Sequence, residues 1–153
     1  MEIKDFLAPA QAMIDVRASD KAALLHELGR RAAVALGMSA DVIASALLKR
    51  EALGSTGTGS GVAVPHARLA GIDKPFGLLA RLAKPIDFES IDSRPVDIVF
   101  LLLLPEKAQG SQLNALACAA RALRDADTVQ DIRRATDADA MYRAAAGASG
   151  KPH

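Results

Sequence analysis

Val96-Asp97-Ile98-Val99-Phe100-Leu101-Leu102-Leu103-Leu104 is the stretch on which the fold prediction depends. Its apolar part is far shorter than the roughly 20 residues that a membrane helix needs. A strand that is apolar at nearly every position is typical of a sheet covered on both faces. We therefore predict an α/β fold, in which a mixed central β-sheet is flanked by helices on both faces.

Helical and extended patterns surround this strand in the chain. Leucines recur at helical spacing before Gly37, and this predicts a helix that Ser19 caps and Gly37 ends. Ser39 is expected to cap a second helix, and Thr128 and Thr136 have a capping-box-like spacing to the Asp three residues later. Later helices are predicted over 113–124, 128–135 and 137–146, and further strands over 13–16, 62–64 and 76–82.

Composition indicates one globular domain. The chain has 153 residues, of which 50% are hydrophobic and 24% charged, with a net charge of +1. We predict a single domain over residues 1–147 and a flexible C-terminal tail over 148–153. The near-neutral charge and an aromatic content of 3% argue against nucleic-acid binding. The polar N-terminus and the short apolar runs predict a cytoplasmic protein without membrane insertion.

Cysteine and histidine counts restrict the possible chemistry further. Cys118 is the single cysteine, so a disulfide within the chain is excluded, and its apolar helical surroundings predict a core position. The three histidines have no second ligand at metal spacing. We therefore expect no metal site and no bound cofactor.

Residues 54–61 form a glycine- and hydroxyl-rich segment, which is a type of sequence that binds anions. Ser60 stands where a Walker loop needs lysine, and the Gly-x-Gly-x-Gly order follows a helix and precedes a strand, the reverse of a dinucleotide site. A flexible surface loop is the alternative for such a string taken alone.

Position within the chain gives this segment a candidate function. Arg50 continues the apolar stripe of the second helix, and Pro65 is expected to end the strand that displays His66. The hydroxyls of Ser55, Thr56 and Thr58 lie between them in sequence, so all five residues are candidates to converge on one site. Two structural alternatives remain open: Arg50 as a cation at a helix C-terminus, and His66 as a hydrogen-bonded structural group.

With these residues in view, the chain resembles enzyme IIA of the nitrogen-regulatory phosphotransferase system, within the mannitol and fructose type of IIA domain. The resemblance extends over about Met1 to Ala146. Its strongest motif is Lys49-Arg50-Glu51-Ala52-Leu53-Gly54-Ser55-Thr56-Gly57, and Gly61-Val62-Ala63-Val64-Pro65-His66 follows. Lys84-Pro85-Ile86-Asp87-Phe88 and the residues from Pro95 to Leu103 also agree.

The resemblance implies a phosphoryl acceptor at His66. Its donor would be a small nitrogen-type phosphocarrier protein, itself charged from phosphoenolpyruvate through enzyme I. Arg50, Ser55, Thr56 and Gly57 would hold the phosphoryl oxygens. Gln112 stands where the family usually has a second histidine, and its amide can donate a hydrogen bond but cannot carry positive charge.

Three functions are compatible with this resemblance. The first is a phosphohistidine carrier, rather than a multiple-turnover enzyme, whose phosphorylation state controls transporters, sensor kinases or enzymes. The second is a sugar-specific IIA subunit that donates phosphate to a membrane permease. The third is an interaction module that binds partners and is never phosphorylated. The free-standing chain and the Leu53 to Gly57 motif favour the first.

Overall fold

The computed structural model describes residues 1–107 and 110–148, without the side chains of residues 111, 112 and 148. Apart from residue 148, the tail predicted over 148–153 lies outside the described residues. Its α-helices are α1 (Lys21–Leu36), α2 (Ala40–Ala52), α3 (Asn114–Ala122), α4 (Ala126–Arg134) and α5 (Ala138–Ala148). Short 3-10 helices cover Ile3–Asp5, Pro9–Gln11 and Gly110–Leu113.

The strands form one mixed sheet of six strands within the described residues. They are β1 (Ala12–Val16), β2 (Gly57–Gly59), β3 (Val62–Ala63), β4 (His66–Leu69), β5 (Phe76–Ile86) and β6 (Val96–Pro105). Their order is β1-β5-β6-β3-β2, and β4 also pairs with β6. The β1–β5, β3–β6 and β4–β6 pairs are parallel, whereas β5–β6 and β2–β3 are antiparallel.

Strand β6 separates two hydrophobic cores. Ile98, Phe100 and Leu102 belong to the core formed with α3, α4 and α5, whereas the alternate residues Val99 and Leu101 belong to the core formed with α1 and α2. All five are fully buried, and each such side chain contributes about 1.5–3 kcal/mol to folding. The prediction of a sheet covered by helices on both faces is therefore confirmed.

Helix caps agree with the sequence prediction at two positions. Gly37 ends α1 in the left-handed conformation with a φ of 66°, and the Ser39 hydroxyl accepts from the Val42 N–H at the start of α2. The predicted cap at Ser19 is wrong, because the carboxylate of the next residue, Asp20, accepts from Ala23 N at 2.8 Å.

The caps predicted at Thr128 and Thr136 are also wrong. Helix α4 begins at Ala126, so Thr128 lies buried in its first turn and donates to the Asp125 carboxylate at 2.6 Å. At α5 the side chain of Asp137 accepts from Ala140 N at 2.8 Å. Asp137, adjacent to Thr136, therefore supplies the capping carboxylate of α5, whereas the side chain of Asp125, the N-cap residue of α4, makes no cap hydrogen bond to the backbone.

Strands β3 and β4 follow one line along β6. Val62 of β3 pairs with Ile98 and His66 of β4 pairs with Leu102, so both strands keep the same register along β6. Between the two strands, Pro65 has no N–H to donate, but its carbonyl still accepts from Leu102 N at 2.9 Å. As expected, β3 ends just before Pro65, and His66 lies at a strand terminus, as the first residue of β4 on the same line along β6.

None of the helices in the described part of the chain combines the length and the apolar character that crossing a membrane requires.

Candidate functional site

Helix α2 brings Arg50 to His66. Arg50 lies in the last turn of α2, and its Nη1 donates to the Gly54 carbonyl at 2.9 Å, which fixes the guanidinium over the start of the following loop. Its Nε donates to Nε2 of His66 at 3.3 Å. The structure thus joins the two residues that the sequence analysis placed at the ends of the glycine-rich segment.

The hydrogen bonds of His66 define its tautomer. Nδ1 lies 2.9 Å from the carbonyl oxygen of Val64, and since a carbonyl only accepts, Nδ1 carries the proton. A guanidinium only donates, so Nε2 presents its lone pair toward Arg50. The half-buried imidazole is therefore oriented, with Nδ1 held by the backbone carbonyl and the lone pair of Nε2 directed toward Arg50.

The hydroxyls that follow Arg50 have other partners. Ser55 Oγ donates to the Phe88 carbonyl at 2.6 Å and accepts from Gly57 N at 3.0 Å. Thr56 donates through both its N–H and its hydroxyl to Glu51. No hydrogen bond between described residues joins Ser55, Thr56 or Gly57 to His66. Thr58 is exposed and borders a cavity of about 290 Å³ between β2 and α4, so it does not converge on the imidazole.

Sequence reasoning missed Glu51 as part of this region. Its carboxylate is buried and accepts from Thr56 N at 2.9 Å and Thr56 Oγ1 at 2.7 Å, and it pairs with Lys21 Nζ at 3.4 Å. The signal was present in the sequence: Glu51 lies four residues after Leu47 and eight after Ile43, on the buried stripe of α2. A carboxylate on an apolar stripe requires polar partners.

The loop over residues 87–95 packs against the β2–β3 hairpin. Ser90 is 6% exposed and lies so close to Gly57 that a Cβ added there would be 2.2 Å from the Ser90 hydroxyl. Ser60 has a φ of 58°, and its N–H donates to Asp92 Oδ2 at 2.8 Å. The backbone N–H groups of Ser60 and Arg94 lower the pKa of Asp92 below its usual value.

Gln112 lies in the 3-10 helix Gly110–Leu113, and its side chain is outside the described part of the structure. Its predicted contact with a phosphoryl group stays a prediction. Within the described residues, no group of three or more His, Cys, Asp or Glu side chains is placed to hold a metal ion.

Known proteins similar to this chain agree on one family. The family model described as "Phosphoenolpyruvate-dependent sugar phosphotransferase system, EIIA 2" matches residues 5–146. A nitrogen regulatory protein of Bradyrhizobium diazoefficiens is 46% identical over 142 residues, which cover 93% of each chain. A nitrogen regulatory protein of Pseudomonas aeruginosa is 35% identical over 144 residues, which cover 94% of each chain.

A solved structure extends this agreement to the fold. The nitrogen regulatory protein IIA-Ntr from Neisseria meningitidis superimposes with a TM-score of 0.87 at 30% identity, and the match covers 94% of this chain and 98% of that one. The chain therefore belongs to the EIIA 2 family of the phosphoenolpyruvate-dependent sugar phosphotransferase system, and within it to the nitrogen regulatory proteins.

Proposed function

We propose that this protein is a phosphoryl-accepting regulator of the nitrogen phosphotransferase system, phosphorylated on Nε2 of His66. The observation that supports this most directly is the arrangement of the imidazole. Its Nδ1 is 2.9 Å from the Val64 carbonyl, and its Nε2 is 3.3 Å from Arg50 Nε. A fixed tautomer with a nucleophilic nitrogen beside a permanent cation is what phosphoryl transfer to histidine requires.

The transfer step exchanges one nitrogen–phosphorus bond for another. The lone pair of Nε2 attacks the phosphorus of a phosphohistidine on the donor protein. As the new bond forms, the bond to the donor imidazole breaks and its electron pair stays on the donor nitrogen. Nδ1 of His66 keeps its proton, which remains hydrogen-bonded to the Val64 carbonyl.

Arg50 has a separate role in this proposal. In the free protein its Nε donates to Nε2, and once phosphorus occupies that position the guanidinium donates to the phosphoryl oxygens instead. We propose Ser55, Thr56, Gly57 and Gln112 as further phosphoryl-stabilising groups. Because Ser55 and Thr56 already donate to Phe88 and Glu51, these hydroxyls must exchange partners to serve the phosphoryl group.

The donor we propose is a nitrogen-type phosphocarrier protein, with phosphoenolpyruvate as the ultimate source of the phosphoryl group. The protein acts in the cytoplasm, and its regulated partners are transporters, sensor kinases or enzymes whose binding depends on the charge at His66. The names of the relatives support the regulatory assignment, since the two compared above are both nitrogen regulatory proteins over nearly their whole length.

Phosphorylation in a reconstituted system tests the proposal. The protein is incubated with phosphoenolpyruvate, enzyme I and the phosphocarrier, and an acid-labile adduct on the wild type is expected. His66→Ala abolishes the adduct, whereas His26→Ala, which alters an exposed histidine of α1, leaves it unchanged. Failure of the wild type to accept phosphate, or an adduct on His66→Ala, overturns the proposal.

The same preparation separates the alternatives. A sugar-specific IIA subunit passes its phosphoryl group to a permease domain, so a chase of phosphorylated protein with a cognate permease discharges it. An interaction module binds its partners with the same affinity whether or not phosphoenolpyruvate and the phosphocarrier are present. The regulatory proposal predicts no discharge and an affinity that changes with phosphorylation.

A further inference from the structure

Glu51 is a buried carboxylate to which the proposed transfer step assigns no role. Its side chain is 4% exposed, although it is adjacent to Arg50 at the end of α2. Both oxygens are used: Oε1 accepts from Thr56 N at 2.9 Å and lies 3.4 Å from Lys21 Nζ, and Oε2 accepts from Thr56 Oγ1 at 2.7 Å. A buried carboxylate that accepts this many hydrogen bonds is held in one position.

A continuous chain of hydrogen bonds leads from this carboxylate to the imidazole. Glu51 holds Thr56 through its N–H and its hydroxyl. The Thr56 carbonyl accepts from Val64 N at 3.0 Å, and the Val64 carbonyl accepts from His66 Nδ1 at 2.9 Å. The N–H of Val64 is therefore bonded to Thr56 and its carbonyl to His66, so the position of Thr56 affects the orientation of the imidazole.

Lys21 supplies the charge that makes the buried carboxylate tolerable. Lys21 is the first residue of α1, and its Nζ lies 3.4 Å from Glu51 Oε1 and 3.0 Å from Glu89 Oε1. The same Nζ lies 5.4 Å from the centre of the Phe88 ring. These ion pairs connect α1 to α2 and to the 87–95 loop. Removing one partner of a buried ion pair leaves the other charge uncompensated.

We infer that Glu51 is a positioning residue for His66: through Thr56 and Val64 it fixes the tautomer and the direction of the imidazole. This inference rests on the proposed function for its consequence in phosphoryl transfer. The position of the ring itself can be measured in the free protein, without any transfer.

The test uses conservative variants with matched controls. Glu51→Gln removes the charge at nearly constant volume, and Thr56→Val removes the hydroxyl donor to Oε2. Glu27→Gln alters a glutamate of α1 that is paired with Arg30 and Arg31, and Thr58→Val alters an exposed threonine two residues after Thr56. Each variant is first shown to be folded by its thermal transition and near-identical far-ultraviolet circular dichroism.

Two readouts are expected to change in the folded Glu51 and Thr56 variants. The rate constant of transfer from the phosphocarrier falls by about 10- to 100-fold, while the phosphocarrier concentration at half-saturation is unchanged, because a misplaced nucleophile loses rate and not partner affinity. The nitrogen-15 chemical shifts of the His66 ring change from values typical of a single tautomer toward values typical of a mixture of the two tautomers. Both controls behave as wild type.

Particular results overturn the inference. It fails if folded Glu51→Gln and Thr56→Val keep the wild-type ring shifts, whatever their transfer rates. It also fails if the two controls change those shifts as much as the test variants do. If the wild type accepts no phosphate but the ring shifts of the two variants change as expected, the proposed function fails and the positioning role of Glu51 stands.

Discussion

Gly57 provides a quantitative test of how tightly the glycine-rich segment packs. Its φ lies outside the left-handed region, so an L residue fits the backbone there and any cost of Gly57→Ala is steric. The added Cβ would lie 2.2 Å from Ser90 Oγ, 3.0 Å from Ser90 Cβ and 3.2 Å from Ser55 Oγ. Rotation of the Ser90 hydroxyl relieves the first contact but not the second.

We expect Gly57→Ala to lower the free energy of unfolding by about 1–3 kcal/mol, which is the usual cost of overpacking a closely packed site. For a domain of this size, that loss corresponds to a fall of about 2–12 °C in Tm. Urea denaturation with a check that the slope is unchanged gives the free energy. Gly147→Ala is the matched control, because no atom lies within 4 Å of its added Cβ, and it is expected to cause no loss.

A double-mutant cycle with Ser90→Gly identifies the clashing partner. Ser90→Gly removes both contacting atoms, so Gly57→Ala should cost at least about 1 kcal/mol less in that background. A cost of Gly57→Ala that is the same in both backgrounds refutes the assignment to Ser90. An unchanged stability of the single variant refutes the close packing itself.

Three further predictions concern other residues. Arg50→Lys, which keeps the charge but loses the Nε donor to His66, should slow phosphoryl transfer about 100-fold with little change in stability; an unchanged rate contradicts the role of Arg50. The pKa of Asp92 is lowered in the folded state, so its contribution to stability is present above about pH 4 and is lost as the pH falls; urea midpoints of Asp92→Asn should therefore decline less on acidification than those of the wild type. Burial raises the pKa of the Cys118 thiol, so alkylation in the native state should be slow and should accelerate with unfolding in urea; rapid native alkylation contradicts its core position.

The sequence predicts the sheet better than it predicts the ends of the helices. Apart from Asp97, the Val96 to Leu104 run is apolar on both faces, which is typical of a strand covered on both sides, and β6 with its two helical layers has this arrangement. At the start of a helix, neighbouring residues of similar capping ability compete for the N-cap position. Asp20 and Ser19 are one such pair, and the path of the incoming chain decides between them.

At the candidate site, sequence spacing predicts which residues come near His66 less well than it predicts the sheet. The helical stripe correctly brings Arg50 toward the strand that carries His66, although the end of α2, a loop and the β2–β3 hairpin separate the two residues along the chain. The partners of Ser55 and Thr56 depend on the 87–95 loop and on Glu51, which spacing alone does not bring together. The predicted convergence of the Ser55 and Thr56 hydroxyls on the imidazole is therefore not seen, because these hydroxyls donate to Phe88 and Glu51 instead.

The position of the phosphoryl group on His66 tests the central claim most directly. Protein labelled with nitrogen-15 in histidine is phosphorylated with phosphoenolpyruvate, enzyme I and the phosphocarrier, and the ring nitrogens are observed by NMR at alkaline pH. The account predicts phosphorus on Nε2, with Nδ1 still protonated and hydrogen-bonded to the Val64 carbonyl. Phosphorus on Nδ1, on another residue, or nowhere in the protein contradicts it.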